Sequence, residues 1–208
     1  MQHLVLEDVS WGLYERMLKE IGDRPLRLTF DNGSMEIMSP LPEHEDVKEF
    51  LGLVVQMLAM LLHRPVKSLG STTFRRHDKQ QGLEPDKCFY FKDEVRVRGL
   101  KRWDAKKDPP PELVVEVDIF SSSIDREPIY ASLGVPEIWR YDGRKLQCLH
   151  LLGQRYSVRK FSRAFPFLEV ALLNKFVSQL SDRDEGSILR EFMAWVKKNG
   201  WAKSEGGP

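Results

Sequence analysis

The spacing of apolar residues changes along this chain, and each change marks an element. Residues 10–21 place Leu13, Met17 and Ile21 at helical intervals, with Gly22 as the stop. Apolar runs at 26–30 and 35–38 flank Asp31-Asn32-Gly33-Ser34, which predicts a hairpin. Ser39-Pro40-Leu41-Pro42 breaks the sheet, and 43–63 then has the pattern of one long helix. Its first turn carries Glu43, Glu45 and Asp46, acids that the positive end of the helix dipole favours. From Phe50 onward it is apolar almost all round, as a central buried helix should be. Short strands are expected at 66–69 and 72–75, a polar loop at 76–83, and a strand at 87–91.

The chain's organising stretch is 109–142. Residues 112–119 alternate as a strand, with Leu113, Val115, Val117 and Ile119 on one face and Glu112, Val114, Glu116 and Asp118 on the other. After a serine-rich turn, Asp125 is placed to cap a short helix that tolerates Pro128 early and ends at Gly134. Strands at 135–141 and 145–151 form a hairpin around Asp142-Gly143, and a third strand covers 156–161. A final helix at 187–198 lines up Ile188, Leu189, Phe192, Trp195 and Val196, with Asn199-Gly200 as its cap.

The implied class is α/β, in one domain over 1–200 with its core at about 26–161 and its last helix at about 183–199; 201–208 is expected to be a disordered tail. The net charge of +1 gives no global field toward nucleic acid, so any basic surface must come from local segregation. Cys88 and Cys148 are isolated, which suits free thiols in a reducing compartment. With no leader-like start and no apolar run long enough for a membrane span, a cytoplasmic protein is expected.

Glu116 sits among valines, and burying a carboxylate costs several kcal/mol unless it is paired or metal-bound. Glu116 and Asp118 point the same way from one strand face, and a divalent cation would relieve their repulsion. Two arrangements are open: Glu116 pairs with an arginine and Asp118 lies at a strand end, or Asp86 joins Glu116 across a neighbouring strand to hold Mg²⁺, with Mn²⁺ as a substitute. His44, in the first turn of the long helix, can contact phosphate, carry a proton or be merely solvated; Glu36 can be a site acid or an outward-facing one. The other histidines have no ligand spacing with each other or with cysteine, so no zinc site is expected. The basic segment 95–107 surrounds Trp103, and Arg96, Arg98, Lys101 and Arg102 in it are candidates for a phosphate-backbone contact or a solvated face.

Four stretches together, MSPLPEHEDV at 38–47, LEPD at 83–86, ELVVEV at 112–117 and YASLGVPEIWRYD at 130–142, resemble the Uma family of restriction endonucleases within the PD-(D/E)XK nuclease superfamily. The resemblance implies a restriction-endonuclease-like fold, a mixed sheet flanked by helices with a Mg²⁺ site at one sheet edge. It implies DNA as substrate and a homodimer, since cutting two strands needs two sites. Asp86 then matches the aspartate of the PD step, Glu116 the acid of the (D/E)XK step, His44 the histidine at the first core helix, and Glu36 the acid before it. Where the superfamily pattern has lysine, this chain has Asp118. The basic residue of Uma-like members, four positions before the tyrosine, is Arg126 here, which can stabilise phosphate charge but cannot act as a base. Three functions remain open: a Mg²⁺-dependent DNA phosphodiesterase, a nucleic-acid-binding module without cleavage, or a partner-binding protein that docks a second copy through Phe192 and Trp195.

Overall fold

A computed structural model describes residues 3–22, 24–39, 42–119 and 123–199. Gly200 and the 201–208 tail lie outside the described residues, as do Pro40, Leu41 and most of the serine-rich turn. Strands form two sheets. The smaller contains β1 (His3–Leu6), β2 (Arg27–Asp31), β3 (Ser34–Met38), β5 (Phe74–Arg76) and β6 (Gln81–Leu83), in the order β1-β3-β2-β6-β5. The larger runs β11-β10-β9-β8-β7-β4 and contains β4 (Lys67–Gly70), β7 (Lys87–Tyr90), β8 (Leu113–Val117), β9 (Glu137–Tyr141), β10 (Leu146–Leu152) and β11 (Arg155–Arg159). All its pairings are antiparallel except β8–β9, so the chain must cross over between those two strands.

That crossover explains why β8 is apolar on both faces. Leu113, Val115 and Val117 face a core built on α2 (Pro42–Leu61), whereas Val114 faces a second core with Ile129 and Tyr130 of α4 (Glu127–Leu133). All five residues of β8 are buried, so Glu116 is carried into the interior by its strand. Helix α2 is the central helix its composition suggests, with Phe50, Leu51, Val54, Val55 and Leu58 fully buried. None of the helices among the described residues is long and apolar enough to cross a membrane.

A third core joins α1 (Trp11–Ile21) to the smaller sheet. Ser10 caps α1 by accepting from the Leu13 N–H at 3.2 Å, and Tyr14 stacks on Phe30 at 5.0 Å. Tyr14 lies so close to β6 that a Cβ on Gly82 would stand 2.3 Å from its hydroxyl oxygen, which is why glycine sits there. The Asn32-Gly33 turn closes the β2–β3 hairpin with both residues at positive φ, 47° and 100°. Arg76 donates to the Ser132 carbonyl at 2.7 Å, tying the smaller sheet to α4.

Several expectations need correction. The polar loop at 76–83 contains β6, paired with β2 and β5, because its backbone completes the smaller sheet despite its polar side chains. Strand β1 was not signalled by its sequence. Asp125 is not the N-cap position of α4; Arg126 is, although Asp125 Oδ1 still accepts from the Glu127 N–H at 3.0 Å. After the one-turn helices α3 (Glu94–Val97) and α5 (Asn174–Val177), the C-terminal helix α6 (Glu185–Asn199) cannot offer Phe192 to a second copy, since Phe192 is fully buried against Phe176 within the protein's own core.

Candidate active site

The register between strands brings the acids together. Lys87 pairs with Val115 across antiparallel β7 and β8, so one step further along the ladder Asp86 stands beside Glu116. Asp86 Oδ2 accepts from the Val117 N–H at 2.8 Å, which pins its carboxylate to β8. The first turn of α2 places His44 Nε2 3.1 Å from the same oxygen. The imidazole thus faces the Asp86 carboxylate at close range, an ion pair whenever His44 is protonated. Burial opposes charge on the imidazole, yet Asp86 and then Glu45 raise the His44 pKa overall. Burial likewise works against the Asp86 carboxylate, but His44 and Arg126 hold its pKa below the ordinary range. Asp86 Oδ1 is buried and finds no hydrogen-bond partner among the described residues.

Glu116 is engaged on both oxygens. Tyr130 donates its hydroxyl to Oε1, and Arg126 Nη1 lies 3.1 Å from Oε2. Burial is the main cause that lifts the Glu116 pKa well above its ordinary value; Arg126 opposes this, while Asp86 and Asp118 add to it. Burial pushes the Tyr130 hydroxyl up as well, which keeps it a donor. Arg126 reaches across to the smaller sheet, where its Nη2 stands 3.7 Å from Glu36 Oε2. Glu36 Oε1 in turn accepts from the Ser123 N–H at 2.8 Å.

A cavity of about 440 Å³ opens onto this cluster. Glu116, Asp118, Arg126, Tyr130, Arg140 and Asp142 are on its wall. Asp86, His44 and Glu36 are buried and do not line it; their contacts run to Val117, Asp86 and Arg126 respectively. Asp118 is anchored through its N–H to the Tyr141 carbonyl at 2.7 Å, and burial raises its carboxyl pKa against the pull of Arg126.

Sequence reasoning did not assign Tyr130, Arg140 or Asp142 of this wall to the site. Tyr130 follows Arg126 by one helical turn, and that spacing was the available signal. Arg140 pairs in register with Glu116 across the parallel strands and bonds Glu127 at 2.6 Å; no linear spacing reveals this.

The basic candidates separate. Arg96 and Arg98 are exposed, and each pairs with an acid of its own segment: Arg96 with Asp93 at 3.0 Å, and Arg98 with the buried Glu94 at 2.7 Å. Lys101 and Arg102 border a groove of about 610 Å³ with Arg75 and Trp103. An adjoining one of about 660 Å³ adds Lys106 and Lys107.

The fold and the acid cluster define a mixed α/β protein with a buried carboxylate site at the junction of antiparallel and parallel strands. Residues 11–184 match the Uma2 family, described as "Putative restriction endonuclease", and the chain belongs to that family. Among solved structures it is similar to one described as "a putative nuclease belonging to DUF820" from Anabaena variabilis ATCC 29413. That likeness has a TM-score of 0.49 at 11% identity, over 80% of this chain and 95% of the other. Among curated proteins, none matches the sequence.

Proposed function

We propose that the protein is a Mg²⁺-dependent endonuclease that hydrolyses DNA phosphodiester bonds, with Mn²⁺ able to replace Mg²⁺. The observation that carries this reading is an excess of buried acid. Glu36, Asp86, Glu116 and Asp118 surround one arginine, Arg126, and one histidine, His44. Buried carboxylates left uncompensated are costly, so the cluster favours a further cation. The donor set is all oxygen, as hard cations require, and the partnerless Asp86 Oδ1 is a ready ligand atom.

Asp86 and Glu116 would hold the ion, with Asp118 acting through water. When bound, such an ion lowers the pKa of a coordinated water and offsets charge on the scissile phosphate. The chain's own groups have separate tasks. His44 keeps Asp86 ionised, and Tyr130 orients Glu116 through Oε1. Glu36 steadies Arg126, whose guanidinium stabilises charge developing on the phosphate in the cavity. Asp118 is the acid on the cavity wall whose raised pKa suits it to accept a proton. The grooves beside Arg75, Lys101 and Arg102 suit the flanking DNA backbone. Cutting both strands would call for two copies, and both cysteines are free, in keeping with a cytoplasmic setting.

Supercoiled plasmid incubated with Mg²⁺ or Mn²⁺ tests the proposal. Wild type should nick it and Glu116→Ala should not; equal nicking by both would end the reading. One observation favours a second function: Arg126 already neutralises Glu116 directly, as in a module that binds DNA without cutting. That reading expects salt-sensitive binding without metal and no turnover.

A further inference from the structure

A different set of side chains converges at the β9–β10 pair. In β10, Cys148 and His150 are two residues apart and share a face. His150 pairs directly with Glu137 of β9, and Cys148 with Trp139. Directly opposed residues share a face, so glutamate, thiol and imidazole come together. One ligand atom from each lies within 4.8 Å of the others.

Two features distinguish this cluster from an ordinary buried polar contact. Glu137 is fully buried, yet no lysine or arginine among the described residues comes within ion-pair distance of it. Its carboxylate has only neutral donors: the Trp139 Nε1–H at 2.8 Å, the Ala164 N–H at 2.7 Å and the Cys148 thiol at 3.3 Å. His150 Nε2 is also buried and has no hydrogen-bond partner among the described residues. A buried carboxylate held only by neutral donors, beside a thiol and an imidazole nitrogen without a hydrogen-bond partner, is a donor set that one cation can join.

We infer that Glu137, Cys148 and His150 form a second metal site, which takes a borderline first-row dication such as Zn²⁺. Sulfur and nitrogen donors disfavour Mg²⁺ there, so this site and the all-oxygen cluster at Asp86 and Glu116 select different ions. Zinc–ligand bonds of roughly 2.0–2.3 Å need donors closer together than the widest separation here, so the part-exposed His150 ring would swing inward. The thiol proton leaves on binding, the thiolate becomes a ligand, and the Trp139 and Ala164 N–H groups remain on the carboxylate as outer partners. The Phe161 carbonyl, 3.6 Å from the Cys148 sulfur, or a water completes the set. The ion would clamp β9 and β10 to the turn at 161–164, a structural role that does not rest on the nuclease reading.

Cobalt(II) serves as the probe because thiolate–cobalt bonds give a near-ultraviolet charge-transfer band. The full-length protein, dialysed against chelator and titrated with Co²⁺, is expected to develop that band, and Zn²⁺ to abolish it. Cys148→Ser should lose the band. Cys88→Ser, whose thiol lies in the core on the sheet's other face, and Glu116→Ala, in the acid cluster, should keep it. Should Cys148→Ser fail to fold, His150→Ala at its part-exposed position is expected to weaken cobalt binding at least tenfold. A wild-type protein without the band, or a band unchanged in either Cys148→Ser or His150→Ala, overturns the inference.

Discussion

Arg126 stands 3.1 Å from Glu116 and 3.7 Å from Glu36, so one guanidinium joins the large sheet to the small one at the acid cluster. Removing one member of a buried ion pair leaves uncompensated charge and costs about 3–5 kcal/mol. Arg126→Met should therefore lower the denaturation midpoint. It should also tighten Mg²⁺ binding by roughly tenfold, about 1.4 kcal/mol, because the ion no longer shares Glu116 with a cation. Chemical denaturation and calorimetric Mg²⁺ titration check the two parts. Weaker Mg²⁺ binding in a folded variant would show that Arg126 supports the ion rather than competing with it.

Tyr130→Phe keeps the ring that packs beneath β8 and deletes the hydroxyl that serves Glu116 Oε1. A buried acceptor left without its donor costs about 1–3 kcal/mol. The variant should be destabilised by that amount, and its cleavage rate should fall with little change in DNA affinity. A rate loss that tracks weakened DNA binding instead would assign Tyr130 to substrate contact.

Glu84 gives a stability prediction away from the proposed ion. Burial raises its pKa above 4.5, although the Thr73 hydroxyl, at 2.7 Å, and Arg27 pull the other way. A carboxyl with a raised folded pKa binds its proton more tightly in the native state, so stability falls as pH rises from the unfolded pKa through the folded one. Glu84→Gln keeps the amide oxygen for Thr73 and removes the buried charge. It should raise the melting temperature at neutral pH, and the gain should fade as pH drops through 4.5 and vanish well below it, where the Glu84 carboxyl is protonated in both the folded and the unfolded state. A gain that is independent of pH would sink this explanation.

The approach of Tyr14 to Gly82 is equally open to test. Gly82→Ala forces a methyl to within 2.3 Å of the Tyr14 hydroxyl oxygen and 2.8 Å of the ring carbon bearing it. Overpacking of this kind costs about 1–3 kcal/mol. Adding Tyr14→Phe should recover part of the loss, because that hydroxyl has no hydrogen-bond partner among the described residues. Equilibrium denaturation of the single and double variants measures the coupling; additive losses would contradict it.

The elements easiest to find in the sequence were those whose side chains announce their surroundings. Strand β8 alternates between two cores, and α2 is apolar because it is buried, so both were visible. Strand β6 was hidden because its place depends on backbone pairing with β2 and β5. The segment carrying Phe165, Leu168, Val170 and Leu173 gave no periodic signal, yet all four are fully buried. At the site, Asp86, Glu116, His44, Glu36 and Arg126 were identified through local motifs, and the structure brings them together. Arg140 beside Glu116, and Glu137 opposite the Cys148–His150 strand, are set by strand register, which linear spacing does not encode. The two-residue spacing of Cys148 and His150 itself was legible and was passed over.

The central claim is that Asp86 and Glu116 share a divalent ion. The most direct measurement is an anomalous difference map from a crystal of the protein soaked in Mn²⁺. The account predicts a peak within bonding distance of Asp86 Oδ1 and a Glu116 carboxylate oxygen, with Arg126 displaced from or sharing Glu116. No peak there at saturating Mn²⁺, with Arg126 still seated on Glu116, would contradict it.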